Sequence, residues 1–334
     1  MNGPLPIRVV PAFVRILALV AALGGLVSDA PAQDCVDYSL MPHLVGQGDL
    51  IGARNLALAG GFAFAACGEY GFRIADLSEP DAPVQVGYAP AGSFSDDVEV
   101  QGNYAYLAAT DAGMMIFDVS SPASPVPVHT VSTPGYARGV ALAGDRAYVT
   151  HDSGLAVVDI TDPVNAVILG TVPLAGYSYE VVVSGNVAFV AAQSADLQVV
   201  DVTDPGAPAS IGSLSLPGYA VDLELRGSTL YLAAEHDGLN IVDVSVPSAP
   251  VLLASLDTVV EFDAVGRLAV AEPYAYLTTD LGMQIVDVSA PTAPVLRNEV
   301  QSVYGALGVA LEGDRAFTAA DGGGIQVIDI EHPE

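Results

Sequence analysis

The sequence predicts an all-β fold built from seven similar units. Seven apolar runs each end in an aspartate, and these aspartates are spaced 41 to 44 residues apart. They are Asp76, Asp118, Asp159, Asp201, Asp243, Asp287 and Asp329. Four residues after each stands a proline: Pro80, Pro122, Pro163, Pro205, Pro247, Pro291 and Pro333. A repeat of this length is typical of architectures in which each unit buries its apolar faces against its neighbours.

Each unit contains four predicted strands. In the third unit, short runs rich in Val, Ala, Ile and Tyr are separated by Gly, Asp and Pro, and these runs cover residues 139–144, 147–150, 155–160 and 167–172. Such runs are typical of strands joined by hairpins. Four antiparallel strands in each repeat of this length predict a propeller blade. The fold class we expect is therefore a seven-bladed β-propeller.

The two ends of the predicted ring complement each other. Seven copies supply strands one to three, but only six are followed by a fourth strand. Residues 41–47 (MPHLVGQ) resemble residues 82–88 (APVQVGY), the fourth strand of the first copy. We expect a strand at 41–48 to complete the last blade and hide its edge. The blades then begin near residues 54, 96, 137, 178, 220, 263 and 306 of a single domain, 33–334.

Residues 1–32 have the pattern of a cleaved signal peptide. Arg8 and Arg15 precede the apolar run 16–27, and Ala30-Pro31-Ala32 matches a cleavage site. A membrane-spanning helix needs about 20 apolar residues, so this run is too short to span a bilayer. We expect an exported protein that is secreted, periplasmic or on the cell surface, without a membrane span.

Two cysteines follow the predicted cleavage site, Cys35 and Cys67. Export places them in an oxidising compartment, so a disulfide between them is expected. Two free thiols, or a lipid anchor on Cys35, are the alternatives.

The charge balance narrows the choice of partner. The net charge is −29, and all ten basic residues are arginine. Nucleic acids and anionic membranes are repelled by such a surface, so neither is an expected partner. Cations, basic proteins and neutral glycans remain, and we expect a monomer.

The repeated phrase resembles the LVIVD-repeat family of exported bacterial proteins, which are similar to β-propellers. The resemblance rests on GLNIVDVSVP at 238–247 and GNYAYLA at 102–108, and it extends over about residues 41–334. It implies a surface or secreted propeller and supplies no catalytic residues.

Acidic residues are predicted on the face where the chain crosses between blades. Asp97, Glu180 and Asp222 begin innermost strands near the expected channel. Further carboxylates lie in the hairpins between strands two and three: Glu69, Asp111, Asp152, Asp237, Asp280 and Asp321. Together they are candidates for Ca²⁺, which takes six to eight oxygen ligands, or for a basic partner. The alternative is that aspartates before glycine serve only turn geometry. No other cofactor is expected.

Aromatic residues recur where the chain enters a blade. Tyr136, Tyr177 and Tyr219, with Phe94, each stand eight residues before a hairpin glycine. They are candidates for stacking a ligand, and packing as wedges between blades is the alternative.

Three functions remain open. The first is a non-enzymatic scaffold that binds protein or glycan at the cell surface or outside the cell. The second is a hydrolase or lyase at the channel mouth, for which Glu235-His236-Asp237 beside Asp222 and Glu224 is the candidate asymmetry. The third is a purely structural envelope component. His151-Asp152-Ser153 does not predict a catalytic triad, because triads assemble from distant segments.

Overall fold

The computed structural model describes residues 41–193, 196–258 and 265–333. These residues form strands β1 to β28 in seven four-stranded antiparallel sheets. A 3₁₀ helix spans Pro163–Asn165. Within the described residues, helices of the length and apolarity needed to cross a bilayer are absent. The predicted signal peptide and Cys35 lie outside the described residues.

The strands follow the chain blade by blade. Blades one and two contain β2 (Asn55–Ala59), β3 (Phe62–Ala66), β4 (Phe72–Asp76), β5 (Val84–Ala89), β6 (Asp97–Gln101), β7 (Tyr104–Ala109), β8 (Gly113–Asp118) and β9 (Val126–Val131). Blades three and four contain β10 (Ala137–Ala143), β11 (Arg146–His151), β12 (Gly154–Asp159), β13 (Val167–Pro173), β14 (Ser178–Ser184), β15 (Val187–Ala192), β16 (Asp196–Asp201) and β17 (Ala209–Leu214).

The remaining blades repeat this arrangement. Blades five and six contain β18 (Ala220–Arg226), β19 (Thr229–Ala234), β20 (Gly238–Asp243), β21 (Val251–Leu256), β22 (Val265–Ala271), β23 (Tyr274–Thr279), β24 (Gly282–Asp287) and β25 (Val295–Gln301). Blade seven contains β26 (Gly308–Glu312), β27 (Arg315–Ala320), β28 (Gly324–Asp329) and β1 (His43–Gly48). The first strand of every blade contacts that of the next, from β2 round to β26 and back to β2, so the seven-bladed β-propeller is confirmed.

The N-terminal strand closes the ring. β1 pairs antiparallel with β28, with Leu44 opposite Ile328 and Gly48 opposite Ile325. The Gln47 side chain donates to the Gly323 carbonyl at 2.7 Å. Because this pairing covers the outer edge of the last blade, the prediction of closure by an N-terminal strand is confirmed.

The recurring aspartate has a local structural role in all seven blades. Its carboxylate accepts the backbone N–H two residues later, at 2.7 to 2.9 Å, which turns the chain out of the third strand. Hydrogen bonds from Ser289 and Arg297 lower the pKa of Asp287 to about 2. The repeat that identifies the fold is therefore a turn motif on the outer side of the blades.

Apolar clusters fill the spaces between neighbouring blades. Phe72 of blade one and Phe117 of blade two lie 5.0 Å apart between ring centroids. Tyr106, Tyr148 and Tyr231 occupy one repeat position, and each is at most 2 % exposed. This packing holds the first strands in fixed positions around the channel.

The crossing segments share one face with the hairpins between strands two and three, which we call the crossing face. The Ala137 N–H donates to the Thr110 carbonyl of the preceding blade at 3.1 Å, and the Val265 N–H donates to the Glu235 carbonyl at 3.0 Å. These bonds fix the crossings against the hairpins, so side chains on this face are positioned by the whole ring.

Candidate functional site

One residue from each blade occupies an equivalent position on the first strand and faces the channel. We call this the channel position. The seven residues are Asn55, Asp97, Gly139, Glu180, Asp222, Arg267 and Gly308. Each residue stands five positions before the first residue of the hairpin that joins the first and second strands of its blade. The three acids predicted from the sequence all belong to this set.

Asp97 is buried, and both of its carboxylate oxygens are bonded to neighbouring blades. Oδ1 accepts from Asn55 Nδ2 at 2.5 Å, and Oδ2 accepts from the Val140 N–H at 2.8 Å. Asn55 belongs to blade one and Val140 to blade three. Asp97 therefore links three consecutive blades at the channel wall.

Glu180 and Asp222 converge on Arg267, a residue that the sequence analysis missed. Arg267 Nη1 donates to Glu180 Oε2 and lies 3.5 Å from Asp222 Oδ1. Asp222 Oδ2 accepts the Leu268 N–H at 2.6 Å. Arg267 is the basic member of the channel position. Its place five residues before the hairpin Glu272-Pro273 was the signal that could have revealed it.

Burial shifts the titration of these carboxyls. The pKa of Glu180 is well above its usual value because burial disfavours the charged form and Asp97 adds repulsion, against the opposing effect of Arg267. Burial likewise raises the pKa of Asp222 to about 6, although Arg267 opposes the rise. Glu180 and Asp222 therefore share one guanidinium inside the ring, and Glu180 is the one favoured to hold a proton.

Threonines make the contact between blades beside Gly139 and Arg267. Thr150 Oγ1 donates to the Tyr179 carbonyl at 2.7 Å, and Thr278 Oγ1 donates to the Leu307 carbonyl at 3.1 Å. A Cβ at Gly139 would lie 2.7 Å from Glu180 Oε1, so the glycine leaves room for the buried carboxyl.

Calcium binding by Asp97, Glu180 and Asp222 stays a prediction. The three side chains do converge, but a guanidinium stands among them, and backbone N–H groups take several of their oxygens. In residues 41–193, 196–258 and 265–333, no group of three His, Cys, Asp or Glu residues is arranged to hold a metal ion.

A pocket of about 340 Å³ opens above the channel position on the crossing face. We call it the mouth. Every blade contributes to its lining the residue that precedes the channel position: Arg54, Asp96, Arg138, Tyr179, Val221, Gly266 and Leu307. Glu235 and Asp280 join them from the hairpins of blades five and six. The lining is therefore polar on blades one to four. Blades five to seven contribute an apolar wall together with three charged residues, Glu235, Arg267 and Asp280.

Ion pairs connect the polar side of the mouth. Arg54 Nε donates to Asp96 Oδ1 at 3.1 Å, and Arg138 Nη1 lies 3.9 Å from Asp96 Oδ2. Arg138 Nε donates to Asp152 Oδ1 at 3.0 Å. The Arg138 guanidinium also covers the ring of Tyr179, at 5.1 Å from its centroid. The arginines are held by carboxylates on one side and an aromatic ring on the other.

The predicted tyrosines surround the mouth without lining it. Tyr136, Tyr177 and Tyr219 are 49 %, 53 % and 45 % exposed. Tyr219 packs edge-on against His236, with ring centroids 6.0 Å apart. Each ring therefore has one part against the protein and another that faces solvent.

The candidate catalytic residues make local contacts. Ser153 Oγ lies 3.2 Å from His151 Nδ1, but His151 Nε2 is buried without a hydrogen-bond partner among the described residues. The nearby Asp152 carboxylate pairs with Arg138. In blade five, Glu224 Oε2 accepts the Val270 N–H at 2.6 Å. Asp152 and Glu224 are therefore engaged in contacts with neighbouring strands and side chains.

Cys67 is fully buried between blades one and seven. Its Sγ donates to the Ala65 carbonyl at 3.6 Å. Burial raises the pKa of the thiol to about 12. The predicted partner Cys35 lies outside the described residues, so the disulfide stays a prediction.

The ring of seven blades around a channel defines a β-propeller, and the repeats place the chain in a particular family. The LVIVD repeat family matches residues 52–89, 92–133, 134–173, 175–215, 217–258 and 264–302, and the chain belongs to this family. The matches cover six repeats, whereas the structure adds a seventh blade from β26 to β28 and β1.

Solved structures share the fold at low identity. The crystal structure of RRP9 WD40 repeats is 10% identical, with a TM-score of 0.73, and the match covers 87% of this chain and 98% of that one. The Cps50 (Swd1) beta-propeller domain of Myceliophteria thermophila is 15% identical, with a TM-score of 0.70, over 86% and 99%. The computationally designed Ika8 protein is 11% identical, with a TM-score of 0.61, over 86% and 99%. No curated protein matches the chain.

Proposed function

We propose that this protein is an exported, non-enzymatic propeller that binds a protein partner through its crossing face, at the cell surface or outside the cell. The observation that carries the proposal is the mouth, lined by one residue from every blade and surrounded by half-exposed tyrosines. Tyrosine and arginine are enriched at the energetically important positions of protein interfaces. Both residue types are concentrated here on one face.

The absence of catalysis is part of the proposal, and the contacts of the polar groups support it. A catalytic site needs a nucleophile or base within reach of an orienting partner and of the substrate. Within the described part of the chain, Asp97 and Asp222 bind backbone N–H groups and His151 lacks a carboxylate partner. The residues that resemble catalytic groups hold the ring together.

A glycan is the second candidate ligand, because exposed tyrosine rings suit stacking against sugars. The mouth itself favours a protein. Its lining includes one aromatic residue, Tyr179, and Arg138 covers a face of that ring. The apolar side is formed by aliphatic residues instead.

Site-specific photo-crosslinking in the source organism tests the proposal. A benzophenone amino acid replaces Tyr177 on the crossing face, and the matched control carries it at Tyr104, which begins β7 on the opposite face. We expect a discrete protein adduct from position 177 only, in the envelope or culture fluid. Equal adducts from both positions, or none from 177, would contradict the proposed binding face.

The export part of the proposal has its own test. Intact mass measurement of the native protein should give a chain that begins at Gln33 and is found outside the cytoplasm. Recovery of the chain from the cytoplasm with residues 1–32 attached would contradict export.

A further inference from the structure

Two arginines of the mouth have hydrogen-bond donors to spare. Arg54 and Arg138 each form a close hydrogen bond through Nε, to Asp96 and Asp152 respectively. Arg138 Nη1 lies 3.9 Å from Asp96, beyond hydrogen-bond distance. Within the described residues, the Nη atoms of both guanidinium groups therefore lack hydrogen-bond acceptors. By contrast, Arg226 uses both Nε and Nη2 on the Val270 carbonyl.

Among the described residues, the carboxylates beside these arginines leave the Nη donors unbonded. Asp96 faces Arg54 with one oxygen and Arg138 with the other. Below it, Asp97 binds Asn55 and the Val140 N–H. The polar side of the mouth therefore offers N–H donors, and a ligand that meets them must bring acceptor oxygens. A carboxylate matches the planar fork of a guanidinium group better than a neutral acceptor does.

The remaining lining of the mouth restricts what can carry that carboxylate. Val221, Val265, Ala306 and Leu307 form an apolar wall on blades five to seven. Glu235 and Asp280 lie on this half of the ring beside Arg267, whose guanidinium faces Glu180 and Asp222. The whole chain has a net charge of −29. A ligand with several negative charges is repelled, so the fitting ligand has one carboxylate and an apolar group beside it.

We propose that the mouth binds the C-terminus of a partner protein that ends in an aliphatic residue. A C-terminal aliphatic residue carries its carboxylate and its apolar side chain on the same Cα. The carboxylate can therefore bind Arg54 and Arg138 while the side chain packs against the apolar wall. This inference rests on the proposed function and names the part of the partner that enters the mouth.

Titration of the mature chain with small probes tests the inference. The probes are acetyl-Gly-Leu with a free carboxylate, the same peptide as its amide, isoamylammonium and glucuronate, each followed by NMR shifts of the protein. We expect the free carboxylate to bind at least 10-fold more tightly than the other three probes, because only it satisfies both sides of the mouth.

Three variants locate the binding. Arg54→Lys keeps a positive charge near Asp96 but removes the guanidinium fork, and Arg138→Gln removes the second fork. Both should weaken binding of the carboxylate probe at least 10-fold. Arg146→Gln, at the start of β11 on the opposite face, should leave it unchanged. Thermal melts establish that the variants are folded. If Arg138→Gln does not fold, Arg54→Lys alone tests the inference.

Each other outcome overturns the inference. Equal binding of the amide removes the role of the carboxylate, and preference for isoamylammonium makes the mouth a cation site. Equal binding of glucuronate makes it a site for sugar acids. If none of the probes binds while position 177 still yields a protein adduct, the C-terminus inference fails and the proposed function stands.

Discussion

Arg267 on blade six donates a hydrogen bond to Glu180 on blade four, so its side chain reaches past the intervening blade. The same guanidinium lies 3.5 Å from Asp222 on that blade. Three first strands are thus joined by one positive charge. Removal of one member of such a buried contact leaves an uncompensated charge, so the channel wall depends on all three members.

Removing the positive charge from the channel should be far more damaging than neutralising an acid. We expect Arg267→Met to lower the free energy of unfolding by about 3–5 kcal/mol, because it leaves buried carboxylates unpaired. Glu180→Gln should cost about 1 kcal/mol or less, because the glutamine resembles the protonated acid. Urea unfolding at neutral pH measures both. Similar losses for the two variants would show that Glu180 is ionised.

Stability should be greatest in mild acid. Burial raises the pKa of Glu99 to about 8 and that of Glu224 to about 7, and it also raises those of Asp222 and Glu180. Because the folded state holds protons that the unfolded chain has released, stability falls as pH rises from 4.5 to about 8. Glu99 is exposed by its accessible surface, so its contribution is much smaller than its shift implies.

At pH values below about 4, stability should fall as the pH is lowered. The pKa of Asp287 is lowered from 3.8 to about 2, so the stability it contributes is lost as pH falls through that interval. Melting temperatures measured from pH 3 to 9 should therefore peak at about pH 4–5. The double variant Glu180→Gln, Glu224→Gln should flatten the decline toward neutral pH. An undiminished decline in that variant would assign it to the overall negative charge instead.

Loss of the closing strand should expose the last blade. Deleting residues 33–47 removes the partner of β28 and the hydrogen bond from Gln47 to Gly323. We expect a lower melting temperature and aggregation through the unpaired edge. Size-exclusion chromatography and thermal melts compare the deletion with Gln47→Ala, which keeps the strand. A truncated protein as soluble and stable as the full chain would contradict the role of β1.

The cysteine prediction can be tested by mass. A disulfide between Cys35 and Cys67 makes the secreted chain two hydrogens lighter than the dithiol. Because Cys67 is buried and its thiol pKa is about 12, alkylation of the folded protein would miss a free thiol. Alkylation must therefore be done in denaturant without reductant. Two labelled cysteines would rule out the bond.

Calcium should leave the melting temperature unchanged. A cation that bound Asp97, Glu180 and Asp222 would stabilise the fold by about 2.7 kcal/mol at a hundredfold excess over its Kd. Arg267 already provides the positive charge among these acids. A melt with millimolar calcium decides the matter. A rise in the wild type that disappears when all three acids become asparagine would establish the metal site.

The repeat was sufficient to predict the blades because its features are local. The aspartate accepts a bond from two residues ahead, and hairpins form between strands adjacent in sequence. Ring closure could also be predicted, because β1 resembles the fourth strands of the other copies.

The contacts of the channel position were not predictable in the same way. The register placed Asp97, Glu180 and Asp222 together, but it could not show that Arg267 reaches across a blade to Glu180. Repeat six has Glu272-Pro273 where the other copies have a glycine turn, which hid the equivalence of Arg267. The partners of a long side chain depend on the three-dimensional arrangement of the blades. The net charge of the chain gave no indication that arginines lie at the mouth.

The pairing of β1 with β28 also constrains how the protein folds. Gln47 and Gly323 are 276 residues apart in the chain, whereas the hairpins within a blade are local. Bringing such distant segments together costs roughly 5 kcal/mol of loop entropy, growing with the logarithm of the separation. Blades one to six can form from neighbouring segments before β1 pairs with β28. Completion of the seventh blade is then the slow, late step, and a chain delayed there exposes both β1 and the edge of β28 to other chains.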